Sequence, residues 1–177
     1  MDKCADFRNN PTVSGSSKLG LAPHTIVAAV KDQPGVLYRV AACLQAKGFN
    51  IRSLAVGASE QKGLSRMTFV VDASTDAEEV VTELRKLEDI AAIEDISDRE
   101  FVSRELALVR VRGEKEVRKR LMDIVDTFNA EIIDVSAQSM MIEVTGHEHK
   151  IDSLVRLLQD YDVVELVRTG RVSMLKG

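Results

Sequence analysis

The chain is predicted to adopt an α+β fold built from two tandem βαββαβ units. Hydrophobic periodicity switches between 2 and 3.6 residues in the order strand, helix, strand, strand, helix, strand. That order occurs twice, with a period of roughly 80 residues, the size of one split-βαβ unit. With 177 residues, 45% hydrophobic and 29% charged, the composition suits one ordinary globular domain or two small ones.

The first unit opens with "HTIVAAV" (24–30), a short apolar strand. Val36, Leu37, Val40, Ala41 and Leu44 then fall on one helical face, and Gly48 is placed to cap that helix at its C-terminus. "FNIRSLAV" (49–56) and "SRMTFVVDA" (65–73) are two strands, and "ASEQKGL" between them suits a hairpin. In the second strand Met67, Phe69 and Val71 share one side. Thr75 followed by Glu78 has the form of a capping box. Ala77, Val80, Val81, Leu84 and Leu87 keep helical spacing, and "IAAIEDIS" (90–97) closes the unit.

The second unit repeats the order. "ELALVRVRG" (105–113) is a strand, and Val117, Leu121, Ile124, Val125 and Phe128 make a helical face. "AEIIDVSA" (130–137) and "SMMIEVTG" (139–146) pair as strands. Ile151, Leu154, Val155 and Leu158 form another helical face, and "DVVELVRTGRVSML" (162–175) reads as one final strand. Each unit is thus ferredoxin-like, with both helices on one sheet face. Val70 lies between Phe69 and Val71, so the other face is apolar too and is expected to be buried by another domain or subunit. The predicted division is a disordered tail (1–23), a first domain (24–98), a charged linker (99–104) anchored by Phe101 and Val102, and a second domain (105–177).

Several function classes are disfavoured. A net charge of −4, no tryptophan and 4% aromatic residues argue against a nucleic-acid surface, which needs a basic patch or stacking aromatics. No apolar run approaches the roughly 20 residues of a membrane span. Cys4 and Cys43 offer neither a disulfide framework nor a zinc spacing, so reduced thiols in a cytoplasmic protein are expected. The first 23 residues lack the apolar core of a signal peptide, and Asp2 and Asp6 do not suit a transit peptide. No nucleophile–base set, P-loop or dinucleotide fingerprint is readable.

The informative stretch is "VKDQPGVLYRVAACLQAKGFNIRSLAVG" (30–57). Pro34 in a first helical turn is ordinary. Gly35 weakens a helix but lets a ligand come close to the backbone. Free amides at a helix N-terminus attract a carboxylate or phosphate. Asp32 adds a negative charge there, which suits a ligand carrying both signs. An α-amino acid fits: carboxylate to the amides, ammonium to Asp32 and to Asn50, taken to stand at the same end of the sheet. The plainer reading, a helix start and a glycine turn, stands beside it.

These residues resemble the opening of an ACT domain, a small-molecule-sensing βαββαβ module. "GFNIRSLAVG", "GLSRMTFVV", "EIIDVS" and "VVELVRTGRVSM" follow in order, and together they resemble the regulatory (small) subunits of acetohydroxyacid synthase, also called acetolactate synthase. The resemblance spans residues 24–177. It implies a non-catalytic subunit that binds and activates a large catalytic subunit and confers feedback inhibition, usually by valine, in branched-chain amino-acid biosynthesis. The catalytic subunit holds thiamine diphosphate, FAD and magnesium, and none of these is expected here. It condenses two pyruvates, or pyruvate with 2-ketobutyrate. The resemblance also implies a homodimer through the first domain, with the effector at its interface. It places effector contacts at Asp32, Gln33, Gly35, Val36, Leu37, Asn50 and Ile51. Asp32 holds a position that is often Asn in the family.

Other features are given plainer roles. His147 and His149 lack a third metal ligand, and "RGEKEVRKRL" (112–121) reads as a solvated helix face or a contact with the catalytic subunit. Met140 and Met141 suit a strand with one side in the core, or an adaptable interface patch. The alternative to a synthase subunit is a freestanding tandem ACT-type sensor acting on another partner. Co-purification with a thiamine-dependent synthase separates the two.

Overall fold

In the computed structural model, residues 23–72, 74–113 and 115–177 are described. The first unit comprises β1 (His24–Lys31), α1 (Val36–Ala46), β2 (Ile51–Ala58), β3 (Leu64–Val71), α2 (Ala77–Leu84) and β4 (Ile90–Asp95). The second comprises β5 (Phe101–Arg112), α3 (Lys115–Thr127), β6 (Glu131–Val135), β7 (Ser139–Gly146), α4 (Glu148–Leu158), β8 (Val163–Arg168) and β9 (Val172–Leu175). Sheet orders are β2-β3-β1-β4 and β6-β7-β5-β8, and every pairing is antiparallel. These are the two tandem ferredoxin-like units that the periodicity predicts. The tail, apart from Pro23, and Cys4 lie outside the described residues.

Alternation along the strands sets the cores. Ile26, Ala28 and Val30 of β1 and Met67, Phe69 and Val71 of β3 face Val36, Val40 and Leu44 of α1 and Val80 and Leu84 of α2. The second core repeats this with Val109, Ile142, Leu121, Ile151 and Leu154. Each such Val, Leu, Ile, Met or Phe side chain, fully buried, contributes about 1.5–3 kcal/mol. Met140 is in the core, while Met141 lies on the opposite face. Gly48, at φ 73°, ends α1 as expected: its amide reaches the Gln45 carbonyl at 3.0 Å and the Phe49 amide that of Leu44 at 3.0 Å.

Three local expectations are corrected. The cap of α2 is Asp76, whose carboxylate accepts from the Glu79 amide at 3.1 Å. Thr75 stands one residue too early. The expected linker 99–104 is strand from Phe101 onward, because Phe101–Arg104 pairs with β9 before β5 enters its own sheet. The expected final strand 162–175 breaks at residues 169–171, where Gly170 takes φ 79° and the chain turns out of the sheet.

That break supplies the cover that the first sheet needs. β9 crosses the face opposite α1 and α2, and Arg66 donates to the Ser173 carbonyl at 3.0 Å. Thr25, Thr68 and Val70 on that face are buried. The cover is therefore another part of the same chain. Among the described residues nothing comparable covers the corresponding face of the second sheet, where Val167 is 53% exposed. Among the described residues, no helix is long and apolar enough to cross a membrane.

Candidate functional site

The β1–α1 loop is tied down on both sides. The Lys31 amide donates to the Asp89 carbonyl and the Asp32 amide to the Gly63 carbonyl, each at 2.9 Å. The Asp32 carboxylate accepts from the Ser65 hydroxyl at 3.2 Å. Gly35 caps α1 at φ 85°, a left-handed conformation that glycine adopts without cost. Among the described residues, no side chain caps this helix. The Val36 amide bonds the Gln33 carbonyl at 3.4 Å and the Arg39 amide the Gly35 carbonyl at 3.0 Å. The amides of Gly35, Leu37 and Tyr38 have no hydrogen-bond acceptor among the described residues. A helix N-terminus with free donors therefore faces out, three residues after Asp32 in the chain.

Arg39 is a neighbour of the loop that the sequence did not disclose. Its Nε and Nη2 grip both oxygens of Asp89, at 2.5 and 3.0 Å. A Cβ on Gly35 would stand 2.8 Å from Arg39 Nη1, so this guanidinium edge borders the loop. The partners are 50 residues apart, beyond any local pattern.

The hydrogen bonds from Arg39 hold the Asp89 carboxyl below its ordinary range, aided by the guanidinium charge and opposed by burial. A carboxyl depressed in the fold adds stability above its unfolded pKa, near 4, and loses it as pH falls through the folded value. Urea midpoints are expected to drop less for Asp89→Asn than for the wild type between pH 5 and pH 3. Equal drops would contradict this account of the pair.

Asn50 and Ile51 are elsewhere. Lys31 pairs with Leu64, whereas Ile51 pairs with Val71 at the other end of β3. Seven residues of strand separate the two ends, roughly 23 Å. The expectation that Asn50 shares an end of the sheet with Asp32 is thus overturned: β1 and β2 run parallel, so the start of β2 lies beside the start of β1. Asn50 Nδ2 donates to Asp72 at 3.2 Å, which leaves its carbonyl oxygen free to accept. Ile51 packs on the first core. Val36 is also buried there, while Leu37 and Tyr38 are exposed at the rim of the loop.

A cavity of about 580 Å3 lies along β2, β5 and β9, lined by Val56, Val102, Val172 and Met174. It is an apolar trough at the β2 edge, distinct from the loop. No cluster of three metal-ligating side chains occurs among the described residues. His147 Nε2 lies 3.2 Å from Arg104 Nη1, and His24 Nδ1 lies 3.1 Å from an Asp95 oxygen. Within the charged run, Arg118 is no solvated spectator: it donates to the carbonyls of Gly113 and Ala137 at 2.9 and 3.1 Å.

The chain matches two family profiles: an AHAS small subunit-like ACT domain over residues 26–92, and the small subunit of acetolactate synthase over residues 104–177. It is 45% identical over 160 residues to the acetolactate synthase small subunit of Mycobacterium leprae, covering 90% of this chain and 95% of that one. It is 43% identical over 155 residues to a probable acetolactate synthase small subunit of Archaeoglobus fulgidus, covering 87% and 97%. The crystal structure of the acetolactate synthase small subunit from Thermotoga maritima superposes with a TM-score of 0.82 at 34% identity, over 89% of this chain and 99% of that one. Matched in both units, in order and along nearly its full described length, this chain belongs to the acetolactate synthase small-subunit family.

Proposed function

We propose that this chain is the regulatory subunit that activates the thiamine-diphosphate-dependent catalytic subunit of acetolactate synthase and makes it sensitive to a branched-chain amino acid, valine first. The observation that carries the effector reading is the loop and first helical turn at residues 32–38, where three unpaired amides, those of Gly35, Leu37 and Tyr38, stand between Asp32 and the Arg39 edge. The amides and guanidinium favour a carboxylate, and the acid favours an ammonium.

The separation of Asp32 from Asn50 supports a site shared by two copies. β2 is an edge strand of eight residues, unpaired on its outer side among the described residues. An exposed edge of that length invites pairing. An isologous, antiparallel pairing of two β2 strands reverses their ends. The partner subunit's Asn50 then lies at the end where Gly35 stands, and an amino acid bridges the two chains. The 24–98 unit is accordingly both the dimerisation and the sensing unit. Thiamine diphosphate, FAD and magnesium belong to the catalytic subunit, and the complex works in the cytoplasm.

Reconstitution tests this reading. Alone, with all cofactors supplied, the chain is expected to form no acetolactate from pyruvate. Added to the catalytic subunit, it raises the rate, and valine lowers that rate again. Turnover by the isolated chain, or no change on mixing, would contradict it.

A further inference from the structure

We infer that Arg171 is the positioning residue through which the second unit enters the effector response, an inference that rests on the amino-acid-sensing reading above. Arg171 stands in the turn between β8 and β9, yet most of its partners lie in the first unit. Its amide donates to the Ser53 hydroxyl at 2.8 Å and its Nη1 to the Thr25 hydroxyl at 2.9 Å. Its Nη2 pairs with Glu148, the first residue of α4. The side chain is only 11% exposed.

The backbone beside it is fitted as closely. Gly170 holds φ 79°, and a Cβ there would meet the Ser53 hydroxyl at 2.8 Å and the Leu54 carbonyl at 3.1 Å. Only glycine lets the turn lie this close to β2. The two first-unit partners are also informative. Thr25 belongs to β1, whose far end carries the Asp32–Gly35 loop. Ser53 follows the register shift in β2, three residues after Asn50. A ligand that draws on Asn50 pulls on this bulge, and the Ser53 hydroxyl passes the displacement to Arg171 and so to the start of α4. The chain of contacts is continuous and runs from the sensing sheet into the second unit.

The test compares wild type, Arg171→Met, Arg171→Lys and Ser53→Ala as full chains. Valine binding is measured by calorimetry, and activation and valine inhibition with the reconstituted synthase. Arg171→Met is expected to activate normally and to bind valine within about threefold of wild type, while its half-inhibiting concentration rises roughly tenfold or more. Arg171→Lys recovers part of the response, because one ammonium cannot serve both Thr25 and Glu148 as the planar fork does. That split between binding and inhibition would not follow from a merely structural role. Inhibition of Arg171→Met at the wild-type concentration overturns the inference alone. If Arg171→Met melts below the assay temperature, Ser53→Ala decides: a raised half-inhibiting concentration supports the coupling, and an unchanged one overturns it. Wild-type protein that binds no branched-chain amino acid overturns the effector reading, and this coupling with it.

Discussion

Gly35→Asp is expected to abolish the response to valine while leaving activation of the catalytic subunit intact. Three effects act together. An aspartate at φ 85° sits in the left-handed region, at a cost of roughly 1–2 kcal/mol for an L-residue. Its Cβ would press on Arg39 Nη1, 2.8 Å away, and its carboxylate would compete with Asp89 for that guanidinium. The same carboxylate would occupy the place of the effector's own, beside the free amides. Like-charge repulsion between the two carboxylates, added to the loss of the place the effector's own would take, is expected to move binding beyond ordinary valine concentrations. Gly35→Ala separates these effects, because it keeps the backbone cost and the Arg39 contact without the charge. Valine titrations of the reconstituted synthase read the result. An unchanged inhibition curve for Gly35→Asp would show that the loop only starts a helix.

Asn50→Ala is expected to weaken valine binding by roughly ten- to a hundredfold. The variant deletes one acceptor for the ammonium, and a hydrogen bond to a charged group contributes about 1.5–3 kcal/mol. The hydrogen bond to Asp72 is lost too, but it is exposed and bears little on folding. A calorimetric titration of the purified subunit measures the change, and wild-type affinity in this variant would remove Asn50 from the site.

Most of the fold was legible because it rests on periodicity. The clean alternation of Met67, Phe69 and Val71, the helical face from Val36 to Leu44 and the glycine stop at Gly48 are all local signals that the structure keeps. The Asp32–Gly35 turn was legible for the same reason, as proline, glycine and an acid between a strand and a helix. Arg39 and Asp89 were not legible, because neither carries a local signature and only the fold brings them together. The place of Asn50 was misread for a topological reason. In a split βαβ unit the two flanking strands run parallel, so the start of β2 cannot share an end with the loop after β1. The route of the final segment was hidden because a single glycine, Gly170, redirects it. Residues 172–175 look like the continuation of β8, yet they pair with Phe101–Arg104 and cover the first sheet.

The claim that two chains share each effector site is tested most directly by mixing the two variants. Gly35→Asp spoils a chain's loop and keeps its Asn50; Asn50→Ala does the reverse. In a mixed dimer of a shared-site protein, one site receives both defects and the other receives neither. Mixed dimers, isolated through two different affinity tags, are titrated with valine by calorimetry beside each parent dimer. One site of wild-type affinity per mixed dimer, absent from both parents, is the predicted result. Mixed dimers with no such site would contradict the shared site.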